Sequence, residues 1–396
     1  MRIVSINVLY APYHEGGAEI IVKTRSEGLV KKGHSVDVIT FTDKPDYIDS
    51  INGVTINRVK IPNIYLPDNK SKYNIVKRRL WHLIDIYNIK SKKIIKTFLK
   101  EKKPDIVIID NIQGWSSSIW DAIHDFNIPT IQVLHDSYLL CPTNMFKNNR
   151  ICKRRCLSCS IMRMPHKFKS NKIFAVVGVS NFILSHLLNY GYFKKSSIKK
   201  VIYNSRIINS KFNQVRTFDG NVIFGFIGNI APNKGIENLI KIFCELERKN
   251  FFLYIAGNGK SSYLNYLQKK YCNSNIKYLG RITPEDFFPL IDFTIVPSIW
   301  YENFPNVIIE SLYFGVPVIA SNIGGIPELI KLGINGTLFN PFQTNELKES
   351  MLEFSNNIFE WKKNFNKIVE TSYPFCDFEQ WINQWNDLIK EIVNGD

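Results

Sequence analysis

Short apolar runs alternate with helical segments along this chain of 396 residues, and that order limits the fold more than any other feature. Near the start, an apolar run at 2–10 is followed by a glycine turn, a helical segment at 18–32 and a second run at 35–40. A strand, a glycine turn, a helix and a strand make a βαβ unit, whose ligand side lies at the carboxyl ends of the strands. The sequence therefore predicts a parallel sheet.

The second half of the chain repeats this order. An apolar run at 222–229 leads through Lys234-Gly235 into a helical segment, and more apolar runs follow. Strands that alternate with helices of about 10–15 residues are typical of doubly wound parallel sheets. We therefore predict an α/β protein with one such sheet in each half. The other predicted strands are 105–110, 129–135, 173–179, 251–256, 276–279, 293–296 and 316–320.

Asn, Ser and charged residues interrupt the periodic pattern at 204–221, and we expect the domain boundary there. A chain of this length can bury two ordinary hydrophobic cores, which agrees with two domains. The predicted domains are 1–205 and 206–375, followed by an amphipathic helix at 376–396 whose apolar positions include Trp381, Trp385 and Leu388.

Positive charge is concentrated in the first half. Through Arg206 the chain has 34 Lys and Arg against 15 Asp and Glu, whereas the remainder has 17 against 20. Residues 151–206 include 12 basic side chains and no acidic one. The first half should therefore bind something anionic. Because no zinc-finger, helix-turn-helix or RNP-type pattern is present, we favour an anionic membrane surface and expect no nucleic acid partner.

The segment 73–87 combines Lys77, Arg78 and Arg79 with Trp81 and aliphatic residues at helical spacing. Such a basic amphipathic helix fits a membrane surface, and it fits equally a core-packing helix with a solvated lysine face. No apolar stretch of about 18 residues predicts a spanning helix, and the first residues lack the basic region of a signal peptide. We expect a cytoplasmic protein that binds peripherally at the inner membrane face.

Two glutamates, Glu302 and Glu310, flank a turn that contains Pro305. Proline suits the first turn of a helix, and the free backbone N–H groups there form a ready anion site. One phosphate-bearing ligand can therefore contact both carboxylates. A second turn, Gly324-Gly325, has small residues that let backbone approach a ligand. An isolated Glu pair would fit two solvated helix charges, but the order of strand, Glu turn, helix, strand and glycine turn favours a ligand site.

These segments resemble the retaining nucleotide-sugar glycosyltransferases of family 4, of the kind that build bacterial cell-surface polysaccharides. The resemblance implies the GT-B fold, in which two Rossmann-like domains face a cleft and the last helix crosses back to the first domain. It further implies that Glu302 faces the donor sugar and Glu310 binds the ribose hydroxyls. The other implied donor-binding residues of this turn are Asn303, Phe304, Pro305, Asn306 and Val307.

The resemblance also assigns groups to the donor diphosphate. Lys234 matches the family's lysine, whereas Asn229, next to Gly228, replaces the usual arginine and brings no charge. Arg281 is a partial substitute for that missing cation. The Gly16-Gly17 loop, after the first strand, matches the family loop that lies over the donor phosphates. Cations that stabilise the negative charge of the leaving group contribute strongly to the rate of group transfer.

His135 and Asp136 end a predicted strand. A histidine at a strand end is most often structural, but the family resemblance implies that His135 lies beside the donor sugar and the reacting centre. Together with Lys234 and Glu302, these two residues are the predicted catalytic group.

Four cysteines follow directly, with ten, three and two residues between them. In a reducing cytosol, such a cluster favours metal binding over disulfides. Four thiolates make a closed tetrahedral zinc site; free thiols and an iron–sulfur cluster are the alternatives. We predict a structural zinc in the insert 141–159, and no cofactor for catalysis. The four ligands would be Cys141, Cys152, Cys156 and Cys159.

The predicted activity is transfer of a sugar from a UDP-, GDP- or ADP-sugar to a glycan or polyprenyl-diphosphate-linked acceptor. Two alternatives stay open at this point. One is a sugar-nucleotide epimerase or hydrolase on the same fold, and the other is a non-catalytic nucleotide-sugar-binding protein. Consumption of a second acceptor separates the first alternative from transfer, and variants at Lys234 or Glu310 that keep full function would favour the second.

Overall fold

The computed structural model describes residues 1–13, 16–67, 72–208 and 216–395. The strands are β1 (Arg2–Ile6), β2 (Ser35–Thr42), β3 (Tyr47–Ile51), β4 (Val54–Lys60), β5 (Ile106–Ile109), β6 (Thr130–Leu134), β7 (Phe146–Lys147), β8 (Arg150–Ile151), β9 (Ala175–Gly178), β10 (Ile198–Val201), β11 (Val222–Ile227), β12 (Phe251–Ala256), β13 (Ile276–Gly280), β14 (Phe293–Val296), β15 (Val318–Ser321) and β16 (Gly336–Phe339). The helices are α1 (Gly17–Lys31), α2 (Ile75–Ile84), α3 (Ile89–Lys102), α4 (Ser118–His124), α5 (Leu157–Met162), α6 (Met164–Lys169), α7 (Asn181–Asn189), α8 (Ile236–Glu245), α9 (Ser261–Lys270), α10 (Pro284–Phe287), α11 (Asn306–Tyr313), α12 (Thr344–Asn356), α13 (Ile358–Lys363), α14 (Phe365–Glu370), α15 (Tyr373–Cys376) and α16 (Phe378–Asn394).

The chain forms two compact units. Unit 1 contains Met1–Met145, Cys152–Asn204 and Glu379–Asp396. Unit 2 contains Phe146–Ile151 and Ser205–Phe378. The boundary expected at 204–221 falls partly on residues 209–215, which lie outside the described residues.

Unit 1 is built on an eight-stranded sheet with the order β10-β9-β6-β5-β1-β2-β4-β3. Only β3 runs antiparallel, joined to β4 through Asn52 and Gly53, whose φ angles of 51° and 80° suit a tight hairpin turn. The central strand β1 pairs with β2 on one side and β5 on the other, so the strand order reverses between β1 and β5. In open α/β sheets, this reversal marks the ligand side at the carboxyl ends of the strands.

The last helix, α16, belongs almost entirely to unit 1, and a cation–π contact and two polar contacts join it to the first helix and the residues after it. Trp385 is buried, and its ring lies 4.7 Å from the guanidinium carbon of Arg25. His34 shares a hydrogen bond with Asn386 at 2.8 Å, and Lys32 pairs with Glu379 at 2.9 Å. The amphipathic pattern predicted for the tail therefore has its apolar face inside unit 1.

Unit 2 has a six-stranded, fully parallel sheet with the order β13-β12-β11-β14-β15-β16. Its strand order reverses between β11 and β14. Phe224 and Phe293, on these two strands, are fully buried and pack against each other with ring centroids 5.8 Å apart. The loops that follow β11 and β14 therefore start from a rigid base.

The two doubly wound sheets confirm the predicted fold class, while several predicted strand bounds differ from the observed ones, most of all that of the first strand. The first strand was predicted to extend to residue 10, but β1 ends at Ile6. The Asn7 side chain donates to the carbonyl oxygen of Leu9 at 2.8 Å and so turns the chain. Within the described part of the chain, no helix has both the length and the apolar character needed to cross a bilayer.

Candidate active site

A buried carboxylate, that of Glu302, lies in the loop after β14 of unit 2. Its Oε1 atom accepts hydrogen bonds from Lys234 Nζ at 2.5 Å, Ser298 Oγ at 2.8 Å and Trp300 Nε1 at 2.8 Å. Burial alone would raise the pKa of Glu302, but the Lys234 charge and these donors outweigh it, so the pKa lies below the ordinary 4.5. Glu302 is therefore held as an anion against a lysine.

The turn at Gly324 and Gly325 supports the Glu302 loop from behind. Gly325 donates its backbone N–H to the Glu302 carbonyl oxygen at 2.6 Å. Gly324 has a φ of +63°, and a Cβ atom on it would lie 2.2 Å from the same oxygen. The small residues of this turn therefore allow close backbone contact with Glu302, whereas the sequence interpretation assigned that closeness to a ligand.

Lys234 reaches Glu302 because its own turn is locked against the end of β14. The 3₁₀ turn Pro232–Lys234 ends at Gly235, which has a φ of +70°. A Cβ atom at Gly235 would lie 1.8 Å from the Pro297 carbonyl oxygen, so only glycine permits this packing. Ile299 also donates its backbone N–H to the Asn233 carbonyl oxygen at 3.0 Å. The structure thus joins the two predicted catalytic residues of the second half at the strand-order reversal.

Glu310, in α11, is buried and paired with Arg206. The Arg206 Nε atom donates to Glu310 Oε1 at 2.6 Å. Burial raises the pKa of Glu310 above its ordinary value even though the Arg206 charge opposes this. Sequence reasoning missed Arg206, because no local pattern connects residues 104 positions apart.

The turn between the two glutamates packs on the same unit. Pro305 is the N-cap of α11 and provides no side-chain cap. Phe304 contacts Phe375 with ring centroids 5.6 Å apart. Asn306 Oδ1 is buried with no hydrogen-bond partner among the described residues, and Val307, next to it in the first turn, is half-buried. The backbone N–H groups at the start of α11 thus receive no side-chain cap. Asn303 also belongs to the turn that precedes this helix.

In unit 1, His135 belongs to a buried charge cluster centred on Asp110. Arg25 donates to Asp110 Oδ1 at 2.9 Å and to Oδ2 at 2.5 Å. His135 Nε2 lies 3.0 Å from Oδ1, and Ser5 Oγ donates to Oδ2 at 3.1 Å. Burial alone would raise the pKa of Asp110, but the charge of Arg25 and the hydrogen bonds hold it well below the usual range.

Asp110 follows β5, and His135 follows the neighbouring strand β6. The structure thus places beside His135 a second strand-end residue, Asp110, that was not among the predicted site residues. The sequence signal that could have identified Asp110 is the predicted strand 105–110, which ends at this aspartate. Asp136, predicted beside His135, uses its carboxylate within its own loop. It accepts from the Tyr138 N–H at 2.9 Å and from Asn144 Nδ2 at 3.3 Å, and burial raises its pKa.

The remaining predicted diphosphate groups lie at strand ends and helix starts. Gly16 is the N-cap of α1, and its N–H donates to Glu19 Oε2 at 3.1 Å, while Gly17 begins the helix. Gly228 follows β11, and the backbone of Gly257 packs so closely that a Cβ there would lie 1.8 Å from the Gly228 oxygen. Two exposed polar side chains stand at the ends of β11 and β13, namely Asn229 and Arg281.

Three of the four clustered thiols come together. The Cys159 thiol donates to the Cys141 sulfur at 3.4 Å. Contacts with Ser158 and Cys159 lower the pKa of the Cys156 thiol to about 7. Among the described residues, however, no group of three or more His, Cys, Asp or Glu side chains is arranged to hold a metal ion. The arrangement of the cysteine side chains therefore does not support the predicted zinc site, whose fourth ligand would be Cys152. That site stays a prediction.

Comparison with protein families matches nearly the whole chain. A model of glycosyltransferase family 4 matches residues 15–205, and a model of the glycosyl transferases group 1 matches residues 208–370. A protein in the cps region of Klebsiella pneumoniae is 32% identical over 334 residues, which cover 84% of this chain and 88% of that protein.

Two further proteins are similar over different lengths. The O-antigen biosynthesis glycosyltransferase WclY of Escherichia coli is 26% identical over 218 residues, covering 52% of this chain and 60% of that protein. The crystal structure of Anabaena HepE in complex with UDP-glucose superposes with a TM-score of 0.71 at 17% identity, covering 99% of this chain and 100% of that one. The structural likeness shows a shared GT-B fold.

Proposed function

Because the chain belongs to the family 4 glycosyltransferases, we propose that it transfers a sugar, with retention of configuration, from a nucleotide diphosphate sugar to an acceptor hydroxyl. The observation that carries this proposal is the pair of Lys234 and Glu302 at the carboxyl ends of β11 and β14. Both side chains keep some solvent contact, at 25% and 10% exposure. An ion pair of this kind is able to exchange a protein partner for a ligand.

In the proposed donor complex, Lys234 binds the diphosphate and stabilises the charge that develops on the leaving group. A preorganised cation in a partly dry site contributes strongly to such a step. Glu302 then orients the donor sugar, and its three protein donors hold it in place. The uncapped N–H groups at the start of α11 supply further positive potential for the phosphates. The leaving diphosphate itself helps to activate the acceptor hydroxyl.

Glu310 accepts hydrogen bonds from the ribose hydroxyls in this proposal. Its present partner, Arg206, is 25% exposed and bonds to one carboxylate oxygen. The ribose therefore competes with, or adds to, a charged donor that is already in place. Gly228, Asn229 and Arg281 border the phosphates in unit 2.

Catalysis in this proposal needs no metal ion. Lys234 and the helix N–H groups replace the cation that an Asp-x-Asp motif would bind, and the sequence has no such motif suitably placed. His135 is oriented by its hydrogen bond to Asp110, and its predicted role in binding the sugar is part of this proposal.

The substrates follow from the relatives. WclY is named for O-antigen biosynthesis, and the Klebsiella protein lies in a cps region. We therefore propose a glycan or polyprenyl-diphosphate-linked acceptor of cell-surface polysaccharide assembly, used at the inner membrane face. HepE was crystallised with UDP-glucose, which puts UDP-sugars first among the donors, ahead of GDP- and ADP-sugars.

A thermal-shift screen of UDP-, GDP- and ADP-sugars tests the donor, because ligand binding to the native state raises the melting temperature. The donor that shifts the protein is then incubated with membrane extract, and transfer of labelled sugar is measured. Transfer that requires a second acceptor supports the proposal. Conversion of the donor with no acceptor would indicate an epimerase or hydrolase, and binding without turnover would indicate a non-catalytic protein.

A further inference from the structure

Two helical segments of unit 1 expose apolar side chains to solvent at one and the same spacing. In each segment the residues stand at positions i, i+4, i+7 and i+11, and those that share a helix lie on one side of it. All eight side chains are between 37% and 76% exposed. We call them the exposed stripes. They are Val76, Leu80 and Leu83 on α2 with Tyr87 just past its end, and Leu157 and Ile161 on α5 with Met164 and Phe168 on α6.

The stripes point outward because the inner faces of the same helices are already filled. On α2, Trp81 is buried and donates its Nε1–H to the Tyr65 carbonyl oxygen at 2.8 Å. On α5 and α6, Arg163 and His166 are buried and hydrogen-bonded to each other at 3.1 Å. Trp81, which the sequence offered for a membrane contact, therefore belongs to the core, and the aliphatic residues take the outer face.

Buried contacts join the two helical segments into one surface. Arg163 Nη1 lies 3.7 Å from Asp85 Oδ2 at the end of α2. Lys169 Nζ donates to Asp121 at 2.5 Å and lies 4.8 Å from the centre of the Tyr87 ring. Tyr87 donates to the same aspartate at 3.0 Å. Tyr87, at the end of the first stripe, and Lys169, next to Phe168 of the second, thus share Asp121 as a support.

The surface around the stripes is positively charged. Residues 151–206 have no acidic side chain, and Lys153 and Arg154, just before α5, are exposed. On α2, Lys77 and Arg79 are exposed beside Leu80. The aspartates under this surface, Asp85 and Asp121, are already paired with Arg163 and with two lysines.

We propose that the exposed stripes dock on an anionic lipid bilayer. Rows of aliphatic and aromatic side chains enter the boundary between headgroups and acyl chains, while the flanking Lys and Arg meet the lipid phosphates. A second copy of this chain would bring positive charge against positive charge, which opposes self-association here. The inference does not rest on sugar transfer, since none of these residues belongs to the proposed active site.

Vesicle flotation of the full chain tests the proposal with phosphatidylglycerol-rich and pure phosphatidylcholine vesicles. Wild-type protein should float with the anionic vesicles and remain largely unbound with the neutral ones. The variant Ile161→Ser/Phe168→Ser should lose about tenfold or more in apparent affinity, because burial of each side chain contributes strongly. The variant Lys153→Glu/Arg154→Glu should lose about tenfold or more at low salt, as each charge changes sign.

Matched controls are Ile48→Ser, which removes an equally exposed apolar residue from β3, and Lys44→Glu/Lys60→Glu, which makes the same charge change at other exposed positions of unit 1. Both should float like the wild type, and all variants should keep the same melting shift with the donor nucleotide. Equal flotation of wild type and stripe variants, or equal binding to neutral vesicles, would overturn the proposal. So would a dimer in light scattering that the stripe variants abolish while wild type fails to float.

Discussion

Both units place an ion pair at the point where their strand order reverses, but the two pairs differ in solvent contact. In unit 1, Arg25 and Asp110 are 1% and 0% exposed, and protein donors bond to both carboxylate oxygens. In unit 2, Lys234 is 25% exposed. A fully buried ion pair can only stabilise and position the residues around it, whereas an ion pair in contact with solvent has room for a ligand. We therefore expect the first pair to stabilise and position its surroundings and the second to take part in the proposed chemistry.

The largest expected effect on stability comes from breaking the buried pair of Arg25 and Asp110. Asp110→Ala leaves Arg25 buried without its carboxylate, which should cost about 3–5 kcal/mol in the free energy of unfolding. Chemical denaturation measures it. The matched control, Asp125→Ala, removes an exposed carboxylate of unit 1 that pairs with Lys92 and Lys96, and should cost less than about 1 kcal/mol. If the two variants are equally stable, the Asp110 cluster is not the structural centre of unit 1.

Lys234→Ala should reduce turnover steeply, and it should lower stability less than Asp110→Ala does, because Glu302 keeps its hydrogen bonds from Ser298 and Trp300. Loss of one such donor to a developing anion typically costs about 3 kcal/mol in the transition state, which is more than a hundredfold in kcat. Steady-state kinetics measures it, with Lys241→Ala, an exposed lysine of α8, as the control. Turnover within about threefold of wild type would remove Lys234 from the chemical step.

Glu310→Gln should weaken nucleotide binding about tenfold while changing the chemical step less, because the ribose hydroxyls lose a charged acceptor. Calorimetry with the free nucleoside diphosphate measures this, and Glu245→Gln on α8 is the exposed control. Equal affinity in wild type and Glu310→Gln would place the ribose elsewhere.

The same pair predicts a pH dependence. Burial raises the pKa of Glu310 above 4.5, and the ionised carboxylate is the better acceptor for hydroxyl donors. Nucleotide affinity should therefore fall as the pH is lowered through that raised pKa, and Glu310→Gln should flatten the profile. Unchanged pH dependence in the variant would assign the titration to another group.

The smallest expected effect on the donor site concerns the cysteine segment of unit 1. One zinc ion per chain is predicted, because four thiols stand close in sequence. Chelation should lower the melting temperature and leave nucleotide affinity in unit 2 unchanged. Elemental analysis of protein purified without added metal measures the content. Substoichiometric zinc and iron, with four thiols titratable in the folded protein, would contradict the prediction.

Local pattern was enough for much of the fold. The strands β12 and β14 were predicted at their observed bounds. The β3–β4 hairpin was missed although its Asn52-Gly53 turn is a strong signal. The hairpin does not fit a βαβ order, because its antiparallel edge strand interrupts the alternation of strands and helices.

The sequence by itself determined the alternation of strands and helices and the order of motifs that singled out Lys234, Glu302 and His135. Hydrophobic period and turn chemistry act over a few residues, so they can be read locally. The tertiary structure alone decided which charges meet, as with Arg206 and Glu310, and which apolar rows face solvent. Those outcomes depend on the course of the chain between distant residues, because a helix with apolar residues on two sides does not specify by its own pattern which side is buried.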